Sequence, residues 1–338
     1  MTIVAVSTVS SKTKYNSDRP EPDFIKLLKD NGFTVIPIGA KHFSNGNATD
    51  EEQIEILSGA SAVIAAGERY PANIIKSLPQ LRVIARSGVG YDKVDLISAS
   101  EHNVAVTITP NANYEAVAEQ TISLLMAVAK STVKLDTMMR NGKWPSAILR
   151  PLRGSSLGIV GLGRIGQAVA TRAHSMKMNI YATEPYPDNN FVQKLDIKLL
   201  DLDSLLAQSD FVSLNCALTQ STHGLIDRKK LALMKNDAIL INTARGGLVV
   251  ENDLINGLES GQIAGAGLDV LEEEPTDPKN RLFAMDNVVL SPHVAGGDIL
   301  SERDMGNESA QCIIDLYNGK WPTGKVVNTD LENKWSWG

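Results

Sequence analysis

Hydrophobic residues in the first hundred positions come in short β-branched runs, separated by segments with helical spacing. The apolar runs cover residues 2–6, 33–38, 61–66, 81–85 and 104–108, and candidate helices lie near 22–31, 50–58, 71–77 and 92–102. Strands that alternate with helices predict a parallel sheet with helices on both faces. We therefore predict an α/β fold for this part of the chain.

The second half of the chain repeats this alternation after one long helical pattern. That pattern runs from about Asn113 to Met139 as a single predicted helix. Strands are then predicted at 157–160, 179–183, 211–214, 238–242, 264–268 and 287–290. About six parallel strands are the number in a full dinucleotide-binding domain. The tail from 298 to 318 is helical again, which indicates one α/β unit interrupted by another.

Composition and charge narrow the classes of partner. The chain has 338 residues, of which 43% are hydrophobic and 21% charged, with a formal net charge of -6 and no basic run. We therefore expect neither nucleic acid nor a membrane surface as a partner. The N-terminus lacks a basic segment before its short apolar run, so we expect no signal peptide, and no run approaches the ~18 residues of a membrane span. Cys216 and Cys312 are too few for a disulfide framework or a zinc cage, so we expect a cytoplasmic protein without a metal.

A glycine-rich turn at 157–170, "LGIVGLGRIGQAVA", points to a dinucleotide. Gly161, Gly163 and Gly166 have G-x-G-x-x-G spacing between a buried strand pattern and a helical pattern. The first glycine permits the tight turn, the second lets the backbone approach a pyrophosphate, and the third lets helix and strand pack closely. Free N–H groups at the helix N-terminus would bind the phosphates.

Glu184 stands at the end of the second predicted strand of this domain. A carboxylate at this position can accept the ribose hydroxyls of NAD and would repel the 2′-phosphate of NADP. No Arg or Lys lies between 178 and 193 to bind that phosphate. The alternative is a solvated glutamate at a strand end, before a turn proline. On the spacing we predict NAD as the cofactor.

Three further stretches place polar residues just beyond apolar strands. "INTARGG" carries Arg245, "GLDVLEEEP" carries Asp269 and Glu274, and "SPHVAGG" carries His293. Taken singly, these residues could be a surface arginine, a solvated acidic loop and a buried structural histidine. Together they form the set that hydride transfer to a 2-oxo acid needs. That reaction requires a cation for the carboxylate, a proton donor at the carbonyl oxygen, and a group that orients the donor.

Over nearly its whole length the chain resembles the NAD-dependent D-2-hydroxyacid dehydrogenases. The motifs that carry this resemblance are "ARSGVGYDKVDL", "AVAEQTISLLMA", "GLGRIG", "INTARGG", "GLDVLEEEP" and "SPHVAGG", in the order and approximate spacing of the family. The resemblance implies two doubly wound parallel-sheet domains, a Rossmann cofactor domain inserted into a flavodoxin-like substrate domain. We expect residues 1–109 and 296–338 to form the substrate domain and residues 110–295 to form the dinucleotide-binding domain. A homodimer, with its contact on the long helix, is also implied.

The resemblance assigns a function to each candidate residue. It implies Arg245 as the substrate-orienting arginine, His293 as the acid/base and Glu274 as its carboxylate partner. Backbone N–H groups of Ser87, Gly88 and Val89 would bind the substrate carboxylate, beside Arg86. Asp269 would bind the nicotinamide carboxamide. The predicted cofactor contacts are Gly161, Gly163, Arg164, Ile165, Gly166, Glu184, Cys216, Ala217, Thr243, Ala244 and Asp269.

The substrate itself stays open between two classes. Arg86 and the stretches "TPNAN" and "NGKW" are similar to 3-phosphoglycerate dehydrogenases, where an added cation would suit a phosphorylated substrate. A structural arginine is the alternative, and it leaves glyoxylate or hydroxypyruvate reduction. The chain stops near residue 338, so we expect no serine-sensing domain after it.

Two hypotheses from other classes make different predictions. A non-enzymatic NAD-sensing regulator would keep the glycine loop and lose the triad, whereas this chain has all three residues. A relative acting on formate or phosphite would need no proton donor to a carbonyl. Assays against a panel of 2-oxo acids would separate these hypotheses.

Overall fold

A computed structural model describes residues 2–7 and 21–338 of the chain. It divides into two compact units, with residues 1–113 and 297–338 assigned to unit 1 and residues 114–296 to unit 2. The assignment of a substrate function to the first and a cofactor function to the second stays a prediction.

Helices and strands alternate through both units. Before residue 114 the elements are β1 (Ile3–Val6), α1 (Asp23–Asp30), β2 (Thr34–Pro37), α2 (Lys41–Ser44), α3 (Asp50–Leu57), β3 (Ala62–Ala65), α4 (Ala72–Lys76), β4 (Val83–Arg86), α5 (Leu96–Glu101) and β5 (Ala105–Thr107). Unit 2 contains α6 (Tyr114–Ala129), α7 (Thr132–Arg140), β6 (Ser156–Val160), α8 (Arg164–Ser175), β7 (Asn179–Thr183), α9 (Asn189–Lys194), β8 (Lys198–Leu199), α10 (Leu202–Gln208), β9 (Phe211–Leu214), α11 (Arg228–Leu231), β10 (Ile239–Asn242), α12 (Glu251–Glu259), β11 (Gly265–Leu268) and β12 (Val288–Leu290). The last long element is α13 (Ile299–Tyr317), in unit 1.

Each unit is built around one parallel sheet, which confirms the predicted fold class. Within the described residues, unit 1 has five strands in the order β2-β1-β3-β4-β5, and unit 2 has seven in the order β12-β11-β10-β9-β6-β7-β8. Every strand pair in both sheets is parallel. The strand order of unit 1 is that of flavodoxin-like folds. The strand order of unit 2 extends to both sides of β6, the strand that precedes the glycine loop.

Two predicted elements of unit 2 were wrong in detail. The long helix is broken in two, because Ser131 adopts a left-handed φ of 49° and its N–H bonds to Val128 O at 3.0 Å. The sheet also has one strand more than predicted, since β8 contains only two residues and its pattern is too short to recognise.

Helix α13 completes the core of unit 1 from the other end of the chain. Ile313 and Ile314 belong to the same buried cluster as Phe24 and Leu28 of α1. A Cβ on Gly306 would lie 2.4 Å from the Phe24 ring, so the two helices touch closely at this glycine. Among the described residues, none of the helices is long and apolar enough to cross a membrane.

Candidate active site

Three neighbouring strands of unit 2 carry the three predicted catalytic residues. Strands β10, β11 and β12 are adjacent and parallel, so their carboxyl ends lie at the same edge of the sheet. Arg245 follows β10, Glu274 follows β11 and His293 follows β12. Open α/β sheets bind ligands at this edge. The topology therefore brings all three residues to one end of unit 2.

His293 and Glu274 form a hydrogen-bonded pair. The distance from His293 Nδ1 to Glu274 Oε2 is 2.7 Å, and Glu274 Oε1 accepts the N–H of Leu271 at 3.1 Å. The carboxylate is thus held at both oxygens. A carboxylate on Nδ1 fixes the orientation of the ring and stabilises the imidazolium that forms when Nε2 takes up a proton. Nε2 is then the nitrogen that can exchange a proton with a substrate.

The turn that presents His293 is held by Asp269. His293 has a φ of 52°, which is uncommon for a residue other than glycine, and its N–H donates to Asp269 O at 2.7 Å. Asp269 Oδ1 accepts Ser291 Oγ at 2.5 Å and the N–H of Val294 at 3.0 Å, and Oδ2 accepts the N–H of Ala295 at 2.9 Å. These contacts fix the backbone on both sides of the histidine.

This geometry gives Asp269 a structural function beside the predicted one. The residue is only 1% exposed, and both of its oxygens are used within the turn. A carboxylate has about four lone-pair sites, so the three donors of the turn leave one for a further donor. Asp269 therefore holds the turn at 291–295, and its predicted contact with the nicotinamide carboxamide stays a prediction.

Arg245 is placed by a buried asparagine that the sequence analysis did not single out. Asn242 Nδ2 donates to Arg245 O at 2.9 Å, and Asn242 Oδ1 accepts the N–H of Ala244 at 3.0 Å. The guanidinium donates to Ala244 O at 2.7 Å and is half-buried. Asn242 belongs to the motif "INTARGG" and is buried. A polar residue at the end of an apolar strand is the feature of the sequence that could have identified it.

The backbone after Arg245 touches the backbone that leads to Glu274. A Cβ on Gly246 would lie 1.8 Å from Leu271 O and 2.6 Å from the nitrogen of Glu272. Only glycine permits such an approach of two main chains. The segments that carry the predicted arginine and the predicted carboxylate therefore support each other directly.

The glycine loop divides its three glycines between two functions. Gly161 has a φ of 95°, and a Cβ there would lie 2.8 Å from the nitrogen of Cys216. A Cβ on Gly166 would lie 2.1 Å from Gly161 O, whereas one on Gly163 would meet nothing within 4 Å. The protein itself therefore requires Gly161 and Gly166, and the exposed Gly163 leaves open space.

That open space fits a dinucleotide. Helix α8 begins at Arg164, so the N–H groups of its first turn have no partner within the helix. They supply the donors and the partial positive charge that a pyrophosphate needs. Ile165 packs its side chain against the core of unit 2, while Arg164 is exposed.

We expect Gly163→Ala to weaken NADH binding and to leave the fold nearly unchanged. The new methyl group contacts no protein atom, and a φ of -69° suits alanine. The loss of stability should be at most about 1 kcal/mol, from the poorer helix N-cap. Titration calorimetry with NADH and a melting curve measure the two effects.

Gly166→Ala is the matched control, because its methyl group would strike Gly161 O. It should lower the melting temperature as well as the affinity. Wild-type NADH affinity in Gly163→Ala would contradict the prediction.

Glu184 reaches back to the glycine loop. Its Oε2 accepts the N–H of Leu162 at 2.9 Å, and its Oε1 accepts the N–H of Tyr186 at 3.1 Å. A carboxylate has about four lone-pair sites, so two remain for further donors. The predicted contact with the adenosine ribose is compatible with this placement and stays a prediction.

The other predicted cofactor residues follow strands β9 and β10. Cys216 is half-buried beside Gly161, and Ala217 is exposed, with its carbonyl accepting Thr222 Oγ1 at 2.7 Å. Thr243 is buried, and its Oγ1 lies 2.7 Å from Thr121 Oγ1 of α6. The hydroxyl of Thr243 is thus used within the protein, which leaves its backbone for a ligand.

Both cysteines should resist thiol-specific reagents in the folded protein. Burial raises the pKa of Cys216 to about 11, with a smaller contribution from the Glu184 charge, and burial likewise raises the pKa of Cys312 to about 11. At pH 8 only about 0.1% of such a thiol is ionised, against roughly a quarter for an ordinary cysteine. A disulfide reagent at pH 8 should therefore label both thiols rapidly in urea and neither in buffer. Rapid labelling of one thiol in buffer would contradict this.

The predicted amide site at 87–89 lies in unit 1, and two of its three N–H groups bond within the fold. The N–H of Ser87 donates to Ala65 O at 2.8 Å, and the N–H of Gly88 donates to Thr109 Oγ1 at 2.9 Å. Both amides therefore already have acceptors within the fold. Within residues 2–7 and 21–338, the N–H of Val89 makes no hydrogen bond to another backbone group. The contact of this segment with a substrate carboxylate stays a prediction.

Arg86 is engaged in holding this turn. Its Nε donates to Gly90 O at 3.1 Å, and its Nη1 donates to Glu68 O at 3.2 Å. The fully buried Glu68 accepts Ser7 Oγ at 3.1 Å and Tyr70 OH at 3.0 Å. Burial raises the pKa of Glu68, and the nearby Arg86 charge opposes that shift. These contacts support the structural interpretation of Arg86 over a phosphate-binding one.

No cluster of three or more His, Cys, Asp or Glu side chains within the described ranges could hold a metal ion.

A dinucleotide loop at the N-terminus of a helix and an imidazole–carboxylate pair at the same edge of the sheet define a nucleotide-dependent oxidoreductase.

Comparison with known proteins gives the family. The family model described as "D-isomer specific 2-hydroxyacid dehydrogenase, NAD binding domain" matches residues 122–295. A glyoxylate reductase from Korarchaeum cryptofilum is 39% identical over 77% of this chain and 80% of its own length. A D-3-phosphoglycerate dehydrogenase from Archaeoglobus fulgidus is 32% identical over 90% of this chain, which spans only 57% of that relative. The crystal structure of TT0316 protein from Thermus thermophilus superposes with a TM-score of 0.82 at 33% identity, covering 96% of this chain and 100% of that one.

The chain belongs to the D-isomer specific 2-hydroxyacid dehydrogenase family. It is an NAD-dependent oxidoreductase, which confirms the predicted class of enzyme and the predicted cofactor. The hypothesis of a non-enzymatic NAD sensor is thereby set aside.

Proposed function

We propose that the protein interconverts a short 2-oxo acid and its D-2-hydroxy acid, with His293 as the acid/base. The observation that carries this proposal is the distance of 2.7 Å between His293 Nδ1 and Glu274 Oε2. NAD(H), held at Gly163 and the N-terminus of α8, would supply or accept the hydride. During reduction, His293 Nε2 gives its proton to the carbonyl oxygen, and Glu274 stabilises the ring while it is charged.

Arg245 orients the substrate in this proposal. A guanidinium can hold a carboxylate through two parallel hydrogen bonds, which fix both the position and the orientation of the bound acid. In the oxidation direction the same residues act in reverse, with neutral His293 accepting the proton of the hydroxyl group. The N–H of Val89 stays a predicted contact of the substrate carboxylate.

For the substrate we propose glyoxylate or hydroxypyruvate. Arg86, the cation that suggested a phosphorylated acid, donates to the carbonyls of Gly90 and Glu68. The glyoxylate reductase relative is also matched over most of its length. The second candidate, 3-phosphoglycerate, is favoured by the 32% identity to a D-3-phosphoglycerate dehydrogenase over 90% of this chain.

A substrate panel tests the proposal. Consumption of NADH is followed with glyoxylate, hydroxypyruvate, pyruvate and 3-phosphohydroxypyruvate, with NADPH in parallel and with formate and phosphite in the NAD-reducing direction. We expect the highest kcat/KM for glyoxylate or hydroxypyruvate with NADH. Turnover confined to the phosphorylated acid would overturn the proposed substrate, and turnover confined to formate or phosphite would overturn the proposed reaction.

We also propose a homodimer that uses helix α7 and the segment after it. None of the side chains of α7 is buried within the chain. The following segment exposes Trp144 by 86% and Ile148 fully. Apolar side chains concentrated on one segment favour a protein interface. Light scattering should give twice the chain mass for the wild type and a smaller mass for a Trp144→Asp, Ile148→Asp double variant. A wild-type monomer would overturn the proposal.

A further inference from the structure

The loop that carries Glu274 is fastened at both ends by one carboxylate. We call residues 271–280 the acidic loop. Glu251, the first residue of α12, accepts the N–H of Glu272 on its Oε2 at 3.0 Å and the side-chain Nδ2 of Asn280 on its Oε1 at 2.7 Å. One contact lies just before Glu274 and the other lies at the far end of the loop. A single side chain thus closes the acidic loop.

Further contacts make this attachment reciprocal. The Glu272 carboxylate accepts the N–H of Glu251 at 3.3 Å, so each residue binds the backbone of the other. Asn280 also donates to Thr276 Oγ1 at 3.1 Å, which extends the attachment into the loop. Next to these contacts, the main chain at Gly246 packs closely against the main chain at Leu271. The start of the acidic loop is therefore fixed from two directions.

None of these hydrogen bonds joins Glu251 to His293. Any effect of Glu251 on the position of His293 or Glu274 must therefore pass through the acidic loop. The N–H of Leu271 binds Glu274 Oε1, and Glu274 Oε2 binds His293 Nδ1. A displacement of residues 271 and 272 would therefore move the carboxylate relative to the imidazole. Errors of about 1 Å in a catalytic group can lower a rate by on the order of a hundredfold.

We propose that Glu251 is a positioning residue for the acid/base pair, because it closes the acidic loop and thereby sets the place of Glu274 beside His293. This inference rests on the proposed function of His293. It assigns to α12 a part in catalysis that neither the motifs nor the triad indicated. Glu251 touches none of the reacting atoms in this assignment.

The test compares Glu251→Ala and Glu251→Gln with the wild type. Glu251→Ala removes both contacts, and we expect kcat for reduction to fall on the order of tenfold to a hundredfold, with little change in KM for NADH. The midpoint of the kcat/KM profile against pH should move to lower pH, because a misplaced carboxylate stabilises the imidazolium less. Glu251→Gln keeps one acceptor and should give an intermediate loss.

Asp253→Asn is the matched control, since Asp253 lies on the same helix and accepts the N–H of Arg228 outside the acidic loop. It should keep the wild-type kcat and pH profile. If Glu251→Ala does not fold, Glu251→Gln and Asn280→Ala provide the same comparison. A loss of kcat without a shift of the profile, or an equal loss in Asp253→Asn, would overturn the inference.

A His293→Ala variant measured alongside separates the two proposals. If it loses turnover while Glu251→Ala keeps it, only the positioning inference fails. If His293→Ala keeps turnover, the proposed acid/base function fails.

Discussion

Replacing His293 by alanine should lower kcat by about 10²–10⁴, the range that a positioned acid/base contributes. The variant loses the imidazole that Glu274 holds at 2.7 Å and therefore loses the proton for the carbonyl oxygen. Its side chain is substantially exposed, so the fold should persist. Affinity for NADH should stay near the wild-type value, because the glycine loop is separate in sequence and untouched.

Steady-state kinetics with the best 2-oxo acid, together with NADH titration and a melting curve, measure these effects. His174→Ala is a suitable control, since His174 is an exposed residue near the end of α8. Near-normal turnover in the His293 variant would refute its proposed function and direct the search to another proton donor.

The second large effect is expected for Gly246→Ala. The added methyl group would lie 1.8 Å from Leu271 O, and neither main chain can yield without moving the segment beyond it. Overpacking of this kind costs about 3 kcal/mol at the upper end of the usual range. Because Arg245 lies on one side of the contact and the acidic loop on the other, we expect a loss of kcat together with a lower melting temperature.

Urea denaturation and kinetics on the same preparation test this prediction. Gly261→Ala is a control in which the loss of stability has a different cause. A Cβ there meets nothing within 4 Å, although its φ of 74° makes alanine strained. It should lower stability and leave kcat unchanged. Wild-type stability and turnover in Gly246→Ala would contradict the close contact between the two segments.

The sequence predicted the parts of this molecule that depend on local pattern. Apolar runs such as 238–242 and 264–268 became β10 and β11 nearly unchanged, because a buried parallel strand is written as a continuous apolar run. The G-x-G-x-x-G spacing and the polar residues after the strands likewise indicated the glycine loop and the neighbouring positions of Glu274 and His293. Each of these signals lies within a few residues of the feature that it predicts.

The rest depended on contacts between distant segments. Asp269 accepts donors from 291–295, and no local pattern in the sequence indicates that pairing. Ser87 and Gly88 were expected to offer their amides, which instead bind Ala65 and Thr109. The closure of the acidic loop by Glu251 spans more than twenty residues of sequence, so it became visible only in the folded chain.

The return of α13 to unit 1 has a consequence for how the protein is made on the ribosome. Residues 114–296 are continuous, so unit 2 can finish folding as soon as it has emerged. The first-made unit must wait, because Ala310, Ile313 and Ile314 close the same apolar cluster as Phe24 and Ile25. Until translation reaches α13, the apolar face that this helix covers in unit 1 stays exposed in the nascent chain.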